Sequence, residues 1–152
     1  MNSKIENAVE CFRSGFNCSQ AIFSTYAEDF SINKIEALRI STCFGAGMGR
    51  LQNVCGALTG AFMLIGCKHG RIQQDDTETV EHAYALVDEF SNQFISLHKS
   101  ILCKELLGCN IRTSEGQKFF KENNLKEAKC VSYVRDTAKM VEELLINDPA
   151  EG

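Results

Sequence analysis

Eight of the 152 residues are cysteines, and four of them, Cys18, Cys55, Cys103 and Cys130, stand where a helix is expected to begin. The first turn of a helix carries backbone N–H groups without intrahelical partners and the positive end of the helix dipole, so a cysteine there is held toward its thiolate form. Such placement lowers a thiol pKa from about 8.5 to between roughly 3.5 and 7.5. Thiolates attack disulfides and oxidised substrates, and they ligate metals. These four are the candidate reactive residues. Cys11, Cys43, Cys67 and Cys109 read instead as small apolar side chains, a common fate of free cysteine.

Each candidate depends on an element that must hold it. Before Cys18, Asn17 reads as an N-cap, Gln20 as the reciprocal half of a capping box and Phe16 as a hydrophobic staple. Before Cys55 runs Cys43-Phe44-Gly45-Ala46-Gly47-Met48-Gly49-Arg50, whose alternate glycines free the backbone for a tight turn. An apolar helix from about residue 53 to 67 follows, with Gly56 and Gly60 four apart, so that a second helix can approach closely. Leu58, Phe62, Met63, Leu64 and Ile65 make it the buried centre of a bundle. Arg50 is a candidate electrostatic support for a thiolate. Cys103 opens a short helix ended by Gly108, and Cys130 falls in the first turn of a final helix from about 129 to 146.

The remaining elements supply the frame. Ile5, Ala8, Val9 and Phe12 mark a first amphipathic helix, and Asn33 caps a third helix with Ile35, Leu38 and Ile40 expected inward. Val80, Tyr84, Val87, Phe90, Phe94, Leu97 and Ile101 give a long helix from Asp75 to Lys99 its inward stripe; its length also offers a homodimer face. Residues 114 to 123 are moderately helical, and a tail over 147–152 is expected to fray. No alternating strand and no repeat is visible. The expectation is an all-α, single-domain bundle over residues 1–152, with six to seven helices and its motifs between about 5 and 145.

Composition narrows the function. A net charge of −4 without a basic stripe argues against nucleic acid as a partner. The longest apolar stretch, Ala57 to Cys67, is too short to span a bilayer, so no transmembrane segment is expected. The opening residues lack the apolar core of a secretory signal, and the expected compartment is the cytoplasm, where a structural disulfide framework is not expected. The glycine run lacks the third glycine of a dinucleotide fingerprint and reads as a packed turn or small anion nest. His69, His82 and His98 read as solvated.

Together, GFNCSQA around Cys18, FGAGMGR followed by VCGALTG around Cys55, CKELLG from Cys103 and the isolated Cys130 resemble the C_GCAxxG_C_C family of redox-active proteins. That family is named for four cysteines, the second in a CGAxxG motif that Cys55-Gly56-Ala57-Leu58-Thr59-Gly60 matches letter for letter. The resemblance implies a redox role for Cys18, Cys55, Cys103 and Cys130. Related cysteine segments occur in some cytochromes with an iron-sulfur centre. Two mechanisms stay open. In one, the thiols form dithiol/disulfide couples, with Cys18 and Cys55 attacking and Cys103 and Cys130 resolving, needing no cofactor and drawing electrons from a redox donor protein or small-molecule thiol. In the other, the four sulfurs ligate zinc or an iron-sulfur cluster. A non-catalytic helical interaction module is the third reading.

Overall fold

The computed structural model describes residues 2–148, so residues 149–152 of the expected frayed tail, with the single proline Pro149, lie outside the described residues. Helix α1 spans Ile5–Arg13 and buries Ala8, Val9 and Phe12, the expected stripe. Helix α2 spans Cys18–Tyr26, and its capping box forms as the sequence predicts: Asn17 Oδ1 accepts from Gln20 N at 2.9 Å while Gln20 Oε1 accepts from Asn17 N at 3.1 Å. Such a cap contributes about 1 kcal/mol and fixes Cys18 as the first helical residue.

Helix α3, Lys34–Ser41, starts at Asn33, whose side chain accepts from Glu36 N. Its inward residues are Ala37 and Ser41, not the expected Ile35 and Ile40, which are 69% and 52% exposed. Small residues bring this helix close to α2, where Gln20 Nε2 donates to Leu38 O at 3.0 Å.

Helix α4, Gly56–His69, is the buried centre: Ala57, Leu58, Ala61, Leu64 and Ile65 are enclosed. It packs most extensively on α2. Gly60 makes this approach feasible, since a Cβ there would stand 2.9 Å from Ser19 O and 3.0 Å from Ile22 Cβ. Helix α5, Thr77–His98, lies against α4 and buries Phe90 and Phe94, whereas Tyr84 and Leu97 of the expected stripe are exposed.

Lys99 takes a left-handed conformation (φ 74°) and ends α5, so the following stretch is a separate helix, α6, Cys103–Leu107, stopped by Gly108 at φ 68°. Helix α7 spans Ser114–Glu122, and α8, Val131–Val141, packs on α1 between π turns at Lys126–Cys130 and Glu142–Ile146. The described residues thus hold eight α-helices against the expected six to seven, the segment expected to be only moderately helical after residue 113 forming the full helix α7. Among them extended pairing is limited to one antiparallel bridge, Val54 to Leu102. No helix among them is long and apolar enough to cross a membrane.

Candidate functional site

The glycine run forms a left-handed turn. Ala46, Gly47, Met48, Gly49 and Arg50 have φ of 57°, 67°, 70°, 58° and 69°, and Gly49 N donates to Gly45 O at 2.9 Å. A left-handed conformation costs about 1–2 kcal/mol at each residue with a Cβ, here Ala46, Met48 and Arg50, and persists only where surrounding contacts enforce it. Those contacts are visible. Asn17 Nδ2 donates to Thr42 O at 2.8 Å, and Gly45 lies so close to the Asn17 side chain that a Cβ would overlap it. The turn is thereby pressed onto the start of α2, and the Ala46 N–H is directed at the sulfur of Cys18.

Cys55 and Cys103 are set by the Val54–Leu102 bridge. Cys55 N donates to Ile101 O and Cys103 N to Asn53 O, each at 2.7 Å. Cys55 is therefore the N-cap of α4 rather than a member of its first turn, because Val54 before it is paired in the bridge and Cys55 itself keeps a non-helical ψ of 132°. Cys103 is the first residue of α6, as expected. Beside them lies Gln52, 3% exposed and itself left-handed at φ 58°. Its Nε2 donates to Cys109 O at 2.9 Å and approaches Cys103 Sγ at 4.0 Å, while its Oε1 accepts from Ile111 N at 3.0 Å. One buried amide therefore secures the loop after α6.

Cys130 differs from its expected setting. The π turn Lys126–Cys130 precedes α8 and bonds Val131 N–H back to Lys126 O, so Cys130 lies inside a continuous helical run and not at a free N-terminus. It still faces the other three. Cys18, Cys55, Cys103 and Cys130 line one cavity of about 120 Å³, walled otherwise mainly by Phe12, Leu106, Leu107, Ile111, Phe120 and Tyr133. Tyr133 is held by its hydroxyl, which donates to Leu106 O at 3.0 Å, and by the His98 ring at 4.7 Å.

Burial and local donors separate the thiols. A hydrogen bond from the Cys55 thiol lowers the Cys18 pKa to about 7 against the opposing effect of burial, helped by the N–H groups of Ala46, Ser19 and Cys18. The Cys55 thiol, donating to that sulfur and buried, is pushed well above the ordinary thiol range. Burial, followed by the charge on Cys18, raises both Cys103 and Cys130 to about 12. Of the four thiols lining the cavity, Cys18 is thus the one held toward its thiolate form.

Gly56 belongs to this arrangement, since a Cβ on it would overlap Cys18 Sγ. Arg50 does not: it is exposed and lies off the cavity wall. Cys43 and Cys67 are exposed, Cys11 contacts Ser24 Oγ at 3.8 Å, and Cys109 is half-buried beside Gln52. His98, expected to be solvated, is largely enclosed and bonds Asp136 Oδ2 at 2.9 Å. The sequence reading missed Gln52, Tyr133 and the aromatic wall. Among the described residues no three His, Cys, Asp or Glu side chains are arranged to hold a single metal ion.

Fold and site define an all-helical domain that directs four cysteines into one apolar cavity. Residues 16–144 match the model of a family described as "Putative redox-active protein (C_GCAxxG_C_C)", and the chain belongs to that family. No curated protein and no solved structure matches it.

Proposed function

We propose that the protein is a two-electron redox carrier whose working couple is Cys18 and Cys55. What supports this is that both sulfurs line one cavity, with Gly56 letting Cys18 Sγ approach the start of α4, and that the hydrogen bond between them lowers the Cys18 pKa while raising that of Cys55. The thiolate is the attacking group, and the neighbouring thiol is placed to resolve what forms on it. The sequence expectation gave the resolving role to Cys103 and Cys130; contact favours Cys55. In each cycle the two side chains lose two electrons and two protons in all as one disulfide forms. A donor dithiol returns them by exchange through a mixed disulfide. Cys103, buried, and Cys130, half-buried, line the same cavity, and their raised pKa values hold them toward the neutral thiol.

A second reading is favoured by the cavity itself. Four thiols line a single cavity of about 120 Å³, and four thiolates are the usual ligand set of an iron-sulfur cluster or of zinc. In that reading Cys18, Cys55, Cys103 and Cys130 are the ligands, and the bound cluster supplies one-electron transfer. Anaerobic purification followed by iron and zinc analysis, a visible spectrum and a thiol count before and after reduction separates the two. The dithiol reading predicts no stoichiometric metal and two thiols gained on reduction. Stoichiometric iron that disappears in Cys18→Ser establishes the cluster reading in its place.

A further inference from the structure

We infer that the rim of the four-cysteine cavity is the docking surface for an acidic electron-transfer protein, an inference that rests on that cavity being a redox centre in either form above. Cys18 is only half-buried, so the cavity reaches the surface. Five cations gather around it. Lys104, Arg112 and Lys121 are exposed and directly follow the wall residues Cys103, Ile111 and Phe120. Lys126 Nζ stands 5.0 Å over the ring of Phe12, another wall residue, and Lys129, directly before Cys130, donates from Nζ to Leu106 O at 3.3 Å. Lys104 and Arg112 also share one surface groove with Leu51 and Cys109.

The positive charge is local. Residues 99–130 carry seven Lys and Arg against four Glu, in a chain whose net charge is −4. Glu122 pairs with Lys118 and Glu127 with Arg13, which leaves Glu105 and Glu115 against the five cations of the rim. The opposite sign lies elsewhere: residues 72–98 hold six Asp and Glu and no Lys or Arg. Four of the six, Asp75, Asp76, Glu78 and Glu81, lie at the start of α5, beside the end of α4, where the rings of His69 and His82 are 4.7 Å apart. Helix α4 is about 20 Å long, so this acidic pole stands a helix length away from Cys55.

A molecule charged in this way turns its cysteine side toward an acidic surface and its α5 side away, which speeds productive encounters. An extended polyanion, such as a nucleic-acid duplex or an anionic bilayer, meets the acidic pole as well as the rim, so a compact protein with one acidic face fits better. Apolar contacts are available at the same rim. Phe16, Leu51 and Phe119 are 40%, 52% and 48% exposed, and Phe16 and Phe119 directly precede the wall residues Asn17 and Phe120. Exposed aromatic side chains ringed by charge are the composition of a protein interface. Rim charges act mainly on the association rate, so the complex is of the weak, transient kind that electron carriers form.

The test measures, by surface plasmon resonance, binding of the full-length protein to two acidic redox proteins, flavodoxin and thioredoxin. At least one should bind, with affinity falling about tenfold or more as salt rises from about 20 to about 200 mM. Lys104→Glu and Arg112→Glu should each slow association about fivefold or more. Arg71→Glu, the same change of charge beside the start of α5, should alter it by less than about twofold. All three positions are exposed, circular dichroism checks the fold, and the salt series needs no variant. Equal effects of the three reversals, salt-independent binding, or no binding of either acidic protein at about 20 mM salt overturn the inference. So does tighter binding of a DNA duplex or of phosphatidylserine vesicles that the two rim reversals abolish. Metal analysis and a thiol count on the same preparation keep the two levels apart. A redox-active cavity without charge-selective docking fails only the partner inference; docking on a protein with neither metal nor a reducible disulfide fails the redox reading and leaves the docking surface standing.

Discussion

Cys55 and Cys103 are tied by reciprocal backbone hydrogen bonds across a single bridge, Cys55 N–H to Ile101 O and Cys103 N–H to Asn53 O, both 2.7 Å. The bond at Cys103 is made by its amide and not by its thiol, so two substitutions separate scaffold from chemistry. Cys103→Ser keeps the bridge and should leave Cys18–Cys55 oxidation intact. Cys103→Pro removes the donor and leaves Asn53 O unpaired, at a first helical position where proline is otherwise tolerated after the extended Leu102. It should lower stability by about 1–3 kcal/mol in urea unfolding and slow disulfide formation by loosening Cys55.

Gly56 and Gly60 both face α2, but with different neighbours. A methyl group on Gly56 overlaps Cys18 Sγ and presses on the backbone of Phe44 and Gly45, whereas one on Gly60 meets Ser19 O and the branch of Ile22. Gly60→Ala should cost about 1–3 kcal/mol of stability and retain thiol chemistry. Gly56→Ala should abolish the low-pH reactivity of Cys18 even in the folded fraction, measured by iodoacetamide labelling alongside circular dichroism.

Gln52→Ala deletes the partners of Cys109 O and Ile111 N together. Leaving two half-buried backbone groups without these partners should cost about 1–2 kcal/mol. Amide hydrogen exchange should speed up selectively at residues 109–111. Exchange rising evenly over the whole chain would show that the amide supports the global fold and not this loop.

Alkylation of Cys18 should rise with an apparent pKa near 7, while Cys103 and Cys130 stay inert up to about pH 12. The same displacements set the stability profile. The folded pKa of Cys18 is depressed, so its contribution is present above the unfolded thiol value and is lost as pH falls through about 7. Those of Cys103 and Cys130 are raised, so the unfolded chain ionises first and stability falls as pH climbs past the ordinary thiol range. Urea midpoints should peak between these limits, and Cys18→Ser should remove the rise on the acid side only.

Local chemistry explains which features were legible in the sequence. The Asn17–Gln20 box, the Asn33 cap, the Gly108 stop and the small-residue spacing of Gly56 and Gly60 are encoded within a few residues, and all four are present. Features enforced by distant chain were not legible. The alternate glycines announce a tight turn, but nothing marks Ala46, Met48 and Arg50 themselves as left-handed, because contacts with Asn17 and Gln52 impose it. The bridge between Val54 and Leu102 joins segments 48 residues apart, and Gln52 looks like any polar loop residue until its three partners are seen. Cys130 was misplaced by a π turn, which has no helical-period signature. Ile35 and Ile40 followed a plausible apolar spacing, but Ala37 and Ser41 allow the closer approach to α2.

Peptide mass mapping of the protein poised across a dithiothreitol redox series, with every remaining free thiol alkylated, tests the central claim most directly. The account predicts one two-electron transition in which Cys18 and Cys55 disappear together into a single disulfide while Cys103 and Cys130 stay free. Free thiols at both Cys18 and Cys55 throughout the series, or pairing of either with Cys103 or Cys130 instead, would contradict it.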